Sequence, residues 1–245
     1  MKQQEFLLEN YSSFNLRDIF ECGQCFRWNK EEDGSYTGVF ANNVINVSKT
    51  TKGIYFKGVC EKDIVNTVID YFDLDRDYNE IKRTLAKVDN NMKESIRYGE
   101  GIRILNQDLW ETIISFMISA NNNIPRIKGI IERLSKKYGK KIEFNNKKYY
   151  TFPTVEELKD VSVEEYRELG LGFRDIRLYE TTKMILNKDV DISKLNEIKD
   201  TNQVRDELLK LSGVGPKVAD CILLFSTLKR FDVFPIDVWV RRVMN

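Results

Sequence analysis

The stretch Leu208-Leu209-Lys210-Leu211-Ser212-Gly213-Val214-Gly215-Pro216-Lys217-Val218-Ala219-Asp220-Cys221-Ile222 decides how its surroundings fold. Two apolar patterns of helical period flank a Gly-Val-Gly turn. Pro216 takes a first helical position, where its missing N–H costs nothing. A tight glycine turn feeding a helix N-terminus aims several backbone N–H groups outward, an arrangement suited to a phosphate. The residues after the turn fit neither a Walker loop nor the dinucleotide GxGxxG pattern. A plain αα-hairpin with a glycine C-cap is the simpler alternative.

Lys217 stands in the first turn of the second helix. The positive end of the helix dipole and any burial both favour the free amine that a nucleophilic lysine needs. A lysine that merely contacts a phosphate is the competing reading, and the hairpin alone leaves the two open. Twenty residues on, Phe234-Pro235-Ile236-Asp237-Val238-Trp239-Val240 brings a carboxylate to the start of an amphipathic segment. Asp237 there is a candidate N-cap. Accepting backbone N–H bonds, it would stay ionised, able to stabilise an oxocarbenium-like sugar and to help activate an attacking amine.

Working outward, 245 residues with 42% hydrophobic content suffice for one large domain or two modest ones. Thirty-nine basic residues balance 38 acidic ones, so total charge decides nothing. Arg126, Lys128, Arg133, Lys136, Lys137, Lys140 and Lys141 nevertheless fall within sixteen positions. The chain has no histidine, which excludes Ser-His-Asp and Cys-His nucleophile pairs and the commonest metal ligand. Of the four cysteines, Cys22 and Cys25 have CxxC spacing, but no second close pair completes a zinc site and no βαβ pattern surrounds them. They are expected to be incidental, as in a reducing compartment. No apolar run reaches the ~18 residues of a membrane span, and the start has no signal-peptide core. The expectation is a soluble protein, cytoplasmic at the nucleoid or nuclear in a eukaryote.

The first ~75 residues read as strands, at residues 25–28, 35–40, 44–47 and 53–56, separated by polar turns in the manner of an antiparallel meander. Residues 61–73 have a helical apolar period. From about Tyr78 the chain is expected to be helical almost throughout, with a buried central helix at Leu109–Ser119 and a basic amphipathic one at Ile124–Tyr138. Thr154 to Glu157 and Ser162 to Glu165 carry capping-box spacing. The predicted class is α+β, a small N-terminal antiparallel sheet packed on a larger helical body. The domains are placed at residues 1–77 and 78–245, the second cut short at its C-terminus.

The hairpin resembles the helix-hairpin-helix motif of DNA-binding proteins. Together with Lys217 and Asp237 it is similar to the Gly/Pro-Asp constellation of base-excision glycosylases. Residues 213–221 are similar to the catalytic hairpin of 8-oxoguanine DNA glycosylases. Gly23-Gln24-Cys25-Phe26-Arg27-Trp28, Gln107-Asp108 through Ser119-Ala120-Asn121-Asn122-Asn123-Ile124-Pro125-Arg126, and Leu169-Gly170-Leu171-Gly172-Phe173-Arg174 agree with that family in order. The resemblance implies an enzyme acting on double-stranded DNA with 8-oxoguanine opposite cytosine, flipping the damaged nucleotide out of the stack. Lys217 would displace the base and form a Schiff base that allows β-elimination, with Asp237 assisting.

The resemblance also assigns a lesion pocket to Gly23, whose carbonyl would accept from N7–H, and to Cys221, against a face of the base. Asn121 would fill the vacated space with Phe173 wedged beside it. Arg126 and Arg174 would bond the orphaned base. Gln24, Gly213 and Gly215 complete the implied DNA contacts. No cofactor is required, although the hairpin's carbonyls at Leu209, Leu211 and Val214 could hold a structural cation. A monomer is expected. Trp239 departs from the family, standing where animal members often have a histidine. The family also continues beyond a position like Asn245 with helices supplying an aromatic stacking residue and a reader of the Watson–Crick edge. The rival readings are an alkylated-base glycosylase, which uses the aspartate without the lysine, a non-catalytic hairpin module that only binds DNA, and a CxxC redox protein.

Overall fold

A computed structural model describes residues 2–9 and 11–244. The chain divides into two compact units: Met1–Asn106 with Ile142–Tyr149, and Gln107–Lys141 with Tyr150–Asn245. The boundary drawn from sequence at residue 77 therefore falls inside the first unit. Helices that follow it, up to residue 98, group with the sheet.

The first unit is built on a five-stranded antiparallel sheet, ordered β1-β5-β4-β3-β2. Its strands are β1 (Lys2–Glu9), β2 (Trp28–Lys30), β3 (Tyr36–Phe40), β4 (Asn43–Lys49) and β5 (Gly53–Cys60). The meander expected from sequence is β2 through β5; β1 adds to it by pairing with β5, Phe6 opposite Phe56. Along β5, Ile54, Phe56, Gly58 and Cys60 are buried in strict alternation, as a period of two requires. Residues 25–27, read as strand, lie ahead of β2 in a bend.

Helices α1 (Leu16–Phe20) and α2 (Ile64–Tyr71) contribute Ile19, Phe20, Ile64 and Val68 to the cluster that buries Ile45, Val47, Ile54 and Phe56 of the sheet. Trp28 is central to it, stacked on Phe20 at 4.2 Å and donating its indole N–H to Tyr71 at 2.9 Å. Gly38 pairs with Trp28 across the strands, and a Cβ there would stand 2.2 Å from the indole. That position has no room for a side chain while the ring is seated. α3 (Tyr78–Leu85) and α4 (Asn90–Tyr98) start on the aspartate caps Asp77 and Asp89 and bury no residue fully.

One departure from the expected helical run is a β-hairpin, β6 (Lys141–Phe144) and β7 (Lys147–Tyr150). Asn145 and Asn146 turn it with φ of 49° and 59°, both left-handed as a type I′ turn requires. Ile142 and Phe144 bury against Val39 and Val44 of the sheet.

The second unit is helical around α5 (Leu109–Ser119), which buries residues 109–110 and 112–118. Asp108 caps it, accepting from the Glu111 N–H at 2.8 Å. Next come α6 (Ile124–Tyr138), α7 (Val163–Glu168), α8 (Asp175–Leu186), α9 (Thr201–Leu209), α10 (Pro216–Phe225) and α11 (Val238–Met244). The capping box at Ser162 and Glu165 is present and starts α7. The Thr154 and Glu157 pair also closes, yet starts only a 3-10 turn at Glu156–Leu158. α10 packs on α5, with Phe225 stacked on Phe116 at 5.7 Å. The N–H of Gln107 bonds the Phe225 carbonyl at 3.2 Å, and the Gln107 carbonyl accepts from Thr227 at 2.8 Å. The start of α5 is thereby tied to the end of α10. Among the described residues no helix is long and apolar enough to cross a membrane.

Candidate active site

The hairpin predicted from sequence is α9, the six-residue turn at 210–215 and α10. Leu208, Leu211 and Val214 anchor it in the core, and the Val214 N–H closes the turn on the Leu211 carbonyl at 3.1 Å. Gly213 has φ of +83°, the left-handed region that glycine enters without cost. A Cβ there would also stand 2.7 Å from Cδ of Arg177 on α8. Gly215 differs: it caps α10 in an extended conformation and a Cβ on it would meet nothing within 4 Å. No side chain caps α10, so its first backbone N–H groups are left for an outside oxygen. The hairpin offers an anion-binding turn with open approach.

Lys217 is partly buried, and its amine is not aimed out of that turn. Its Nζ lies 5.5 Å from the centre of the Phe116 ring on α5, and its charge bears on the Cys221 thiol, one helical turn further along α10. Cys221 is buried at 2% exposure. Burial pushes its thiol up; the charge of Lys217 opposes this, while Asp220 and Asp237 add to it. Asp237 thus acts on the same sulfur that Lys217 does. Its carboxylate accepts the Trp239 and Val240 N–H groups at 2.9 and 2.8 Å, capping α11. The charges of the Lys217 amine and of the α11-capping Asp237 carboxylate both bear on the Cys221 thiol of α10. Asp220 itself is taken up by Arg205 at 2.9 Å.

A second group forms where α5 ends. Asn121 is exposed with φ of +50°, a conformation asparagine tolerates better than most residues. Arg174 holds that turn: it is 2% exposed, and its guanidinium donates to the carbonyls of Ala120, Asn121 and Leu171. Arg126 is exposed, with one nitrogen 3.3 Å from the Gly170 carbonyl. Phe173 is 57% exposed, and the Arg174 guanidinium lies 4.2 Å from its ring centre. An aromatic of that size left in water beside arginines has the form of a wedge for stacked bases. Arg174, assigned to base contact by resemblance, is thus placed inside the protein and supports Asn121.

Gly23 and Gln24 lie on the first unit. Gly23 adopts φ of +87° with open space where a Cβ would be. Gln24 is 1% exposed and internal: its amide donates to the carbonyls of Ile19 and Arg103 at 2.9 and 2.8 Å and accepts from Leu105 N–H at 3.0 Å. It fixes the loop that carries Gly23. All four cysteines are free thiols, Cys22 exposed and Cys25 buried. Among the described residues no group of His, Cys, Asp or Glu could hold a metal ion. Of the carbonyls assigned to a cation, that of Leu211 already accepts the Val214 N–H, and the chemistry above uses none of them.

Sequence reading placed Phe116 in the core, where it lies, but passed over Arg177, which gains significance only from the hairpin turn it covers from α8.

A glycine hairpin opening a helix with a lysine in its first turn, followed by a capped aspartate, defines a base-excision DNA repair protein. The family model described as HhH-GPD superfamily base excision DNA repair protein matches residues 114–245. That for the N-terminal domain of 8-oxoguanine DNA glycosylase matches residues 6–113. The chain belongs to the 8-oxoguanine DNA glycosylase family.

It is 35% identical over 194 residues to a probable N-glycosylase/DNA lyase of Methanothermobacter thermautotrophicus, covering 71% of this chain and 61% of that one. The chain therefore spans about three fifths of that relative's length. The apo-form crystal structure of Clostridium acetobutylicum 8-oxoguanine glycosylase/lyase is 42% identical, with a TM-score of 0.93 over 99% of this chain and 85% of that one. The same enzyme in complex with double-stranded DNA containing cytosine opposite 8-oxoguanine also superimposes with a TM-score of 0.93, at 42% identity, covering 100% and 84%.

Proposed function

We propose that this chain excises 8-oxoguanine opposite cytosine from duplex DNA and then cleaves the strand, with Lys217 as nucleophile. The observation that carries the reading is the position of the Lys217 Nζ, 5.5 Å from the centre of the Phe116 ring on α5, on a helix whose buried Cys221 thiol feels the charges of both Lys217 and Asp237. A lysine serving phosphate alone would point out of the hairpin turn.

In this mechanism the hairpin N–H groups hold a backbone phosphate while the target nucleotide leaves the stack. Asn121 fills the gap, Phe173 wedges beside it and Arg126 meets the orphaned base. The lesion enters against Cys221, whose neutral thiol presents a small, soft surface to an aromatic face. The Gly23 carbonyl accepts the N7–H that guanine lacks. As the glycosidic bond lengthens, positive charge grows on the sugar, and the Asp237 carboxylate stabilises it. The Lys217 amine forms a bond to C1′ as the C1′–N9 bond breaks; the base departs with the bonding electrons and takes up a proton. Opening of the sugar ring gives a protonated imine. Loss of a C2′ proton then expels the 3′-phosphate by β-elimination. No cofactor enters these steps.

The test is borohydride trapping on a duplex carrying one 8-oxoguanine opposite cytosine. Reduction of the imine should leave a covalent protein–DNA band with wild type and none with Lys217→Gln. Base release by Lys217→Gln at near the wild-type rate would remove lysine from the central role. Duplex binding with neither trapped band nor released base would make the chain a binding module.

A further inference from the structure

The mechanism leaves one exposed cation on α8 unused. Arg177 makes no hydrogen bond or ion pair among the described residues, although its stem is not free. Its Cβ, Cγ and Cδ cover Gly213 so closely that a Cβ on that glycine would fall 2.7 to 3.2 Å from them. Its guanidinium carbon lies 5.5 Å from the centre of the Phe173 ring. One side chain therefore spans the hairpin turn and the aromatic wedge. Glu180, three residues further along α8, is engaged by the Ser212 hydroxyl.

Arg177 also has like-charged company. Arg126 and Arg174 share the Phe173 neighbourhood, and neither makes an ion pair among the described residues. Burial lowers the Arg174 guanidinium from its ordinary range, and the charges of Arg126 and Arg177 push it the same way. Arg174 and Arg177 flank an exposed ring and the charge of Arg126 bears on Arg174; with no ion pair to offset them among the described residues, the three repel one another until an anion arrives. An arginine fork suits a phosphodiester oxygen pair. A merely solvated arginine would have no reason to seal a glycine in a phosphate-binding turn.

We infer that Arg177 contacts a backbone phosphate of the duplex between the hairpin turn and Phe173, setting the spacing between the grip on the strand and the wedge. The inference rests on the duplex-DNA reading above. Arg177 is a positioning residue, distinct from the groups that touch the reacting sugar.

Arg177→Met keeps the stem against Gly213 and removes only the charge; Arg177→Lys keeps charge without the fork. Affinity for an undamaged duplex should be measured against salt concentration for each, alongside borohydride trapping of the wild type. Arg177→Met should bind roughly tenfold more weakly at low salt, and the slope of log affinity against log salt should fall by about 0.9, one phosphate contact. Arg177→Lys should restore the slope. An unchanged slope in Arg177→Met overturns the inference, whatever happens to trapping. Equal losses in both variants with the wild-type slope would reduce Arg177 to packing and overturn it too. A wild type that shows the Arg177-dependent slope but traps no adduct upholds the inference and removes the lyase reading.

Discussion

Lys217 stands one helical turn before the buried Cys221 on α10, and its Nζ lies 5.5 Å from the centre of the Phe116 ring on α5. That position sets the amine beside α5 rather than out of the glycine turn that precedes it. Residues at i and i+4 share a helix face, so Lys217 and Cys221 both lie on the side of α10 that faces Phe116 of α5. In the reading proposed above, the hairpin separates two tasks within a few residues: the turn binds phosphate, and the next helical turn does chemistry.

Asp237 carries a cap and a charge, and the two are separable. Asparagine caps a helix about as well as aspartate. Asp237→Asn should therefore keep the bonds to Trp239 and Val240 and unfold within a few degrees of wild type. Its base release, followed with an 8-oxoguanine duplex under single turnover, should slow by about two orders of magnitude or more, as expected when charge stabilisation of a transition state is lost. A near-wild-type rate would leave Asp237 as a cap alone.

Alkaline pH should destabilise the fold earlier than its exposed groups suggest. Burial pushes the Cys60 thiol up to about 11, with Asp63 adding to the effect. Burial, then the hydrogen bond to Glu21, pushes the Tyr36 phenol up to about 12. Tyr166 rises to about 12 on burial. The unfolded chain releases these protons at about 8.5 for a thiol and about 10 for a phenol. Above those values the unfolded state binds fewer protons than the folded one, so stability falls as pH rises. It is fully present below about 8.5 and lost progressively up to the folded values. Urea midpoints at pH 8, 9.5 and 10.5 should decline, and Cys60→Val should flatten the first part. A constant midpoint would show that these groups are solvated.

Phe173 should matter to function and hardly to folding. At 57% exposure its ring contributes little burial, and its contact with Arg174 is a cation–π pair worth roughly 0.5–1 kcal/mol at an exposed site. Phe173→Ala should leave the thermal midpoint nearly unchanged. Excision from an 8-oxoguanine·cytosine pair should drop about tenfold or more, because flipping costs a few kcal/mol that the wedge helps meet. The defect should shrink when the lesion sits in a mismatch that is already partly unstacked. Equal defects on both duplexes would count against a wedge.

The catalytic hairpin was legible because its information is local. Turn glycines, a first-turn proline and the spacing to Asp237 are all written within thirty residues. The β6–β7 hairpin was not read, because its short alternation of Ile142 and Phe144 with charged neighbours sits in a charge-rich stretch of an otherwise helical region. Gln24 and Arg174 are a different case. Their residue types and order suggest ligand contact, and only tertiary packing decides that both face inward, at 1% and 2% exposure. Polar residues carry no sequence signal for which way they point when the carbonyls that satisfy them come from distant segments, as Arg103 does for Gln24.

The inward course of Arg174 leads to a sharp expectation. Its guanidinium donates to the carbonyls of Ala120, Asn121 and Leu171 at once, so truncation strips all three of a charged donor. Arg174→Ala should cost about 2–4 kcal/mol, the range for losing charged hydrogen bonds and orphaning their acceptors, read as a lower urea midpoint with unchanged slope. Lysine places a single ammonium where a planar fork is needed, so Arg174→Lys should recover little of that loss. Both variants free the turn that presents Asn121, and excision should fall further than Asn121→Ala alone makes it fall. If Arg174→Lys restores stability but not excision, the guanidinium serves the base as well as the turn. If Arg174→Ala is as stable as wild type, the three carbonyls are hydrated and the support assigned to Arg174 is wrong.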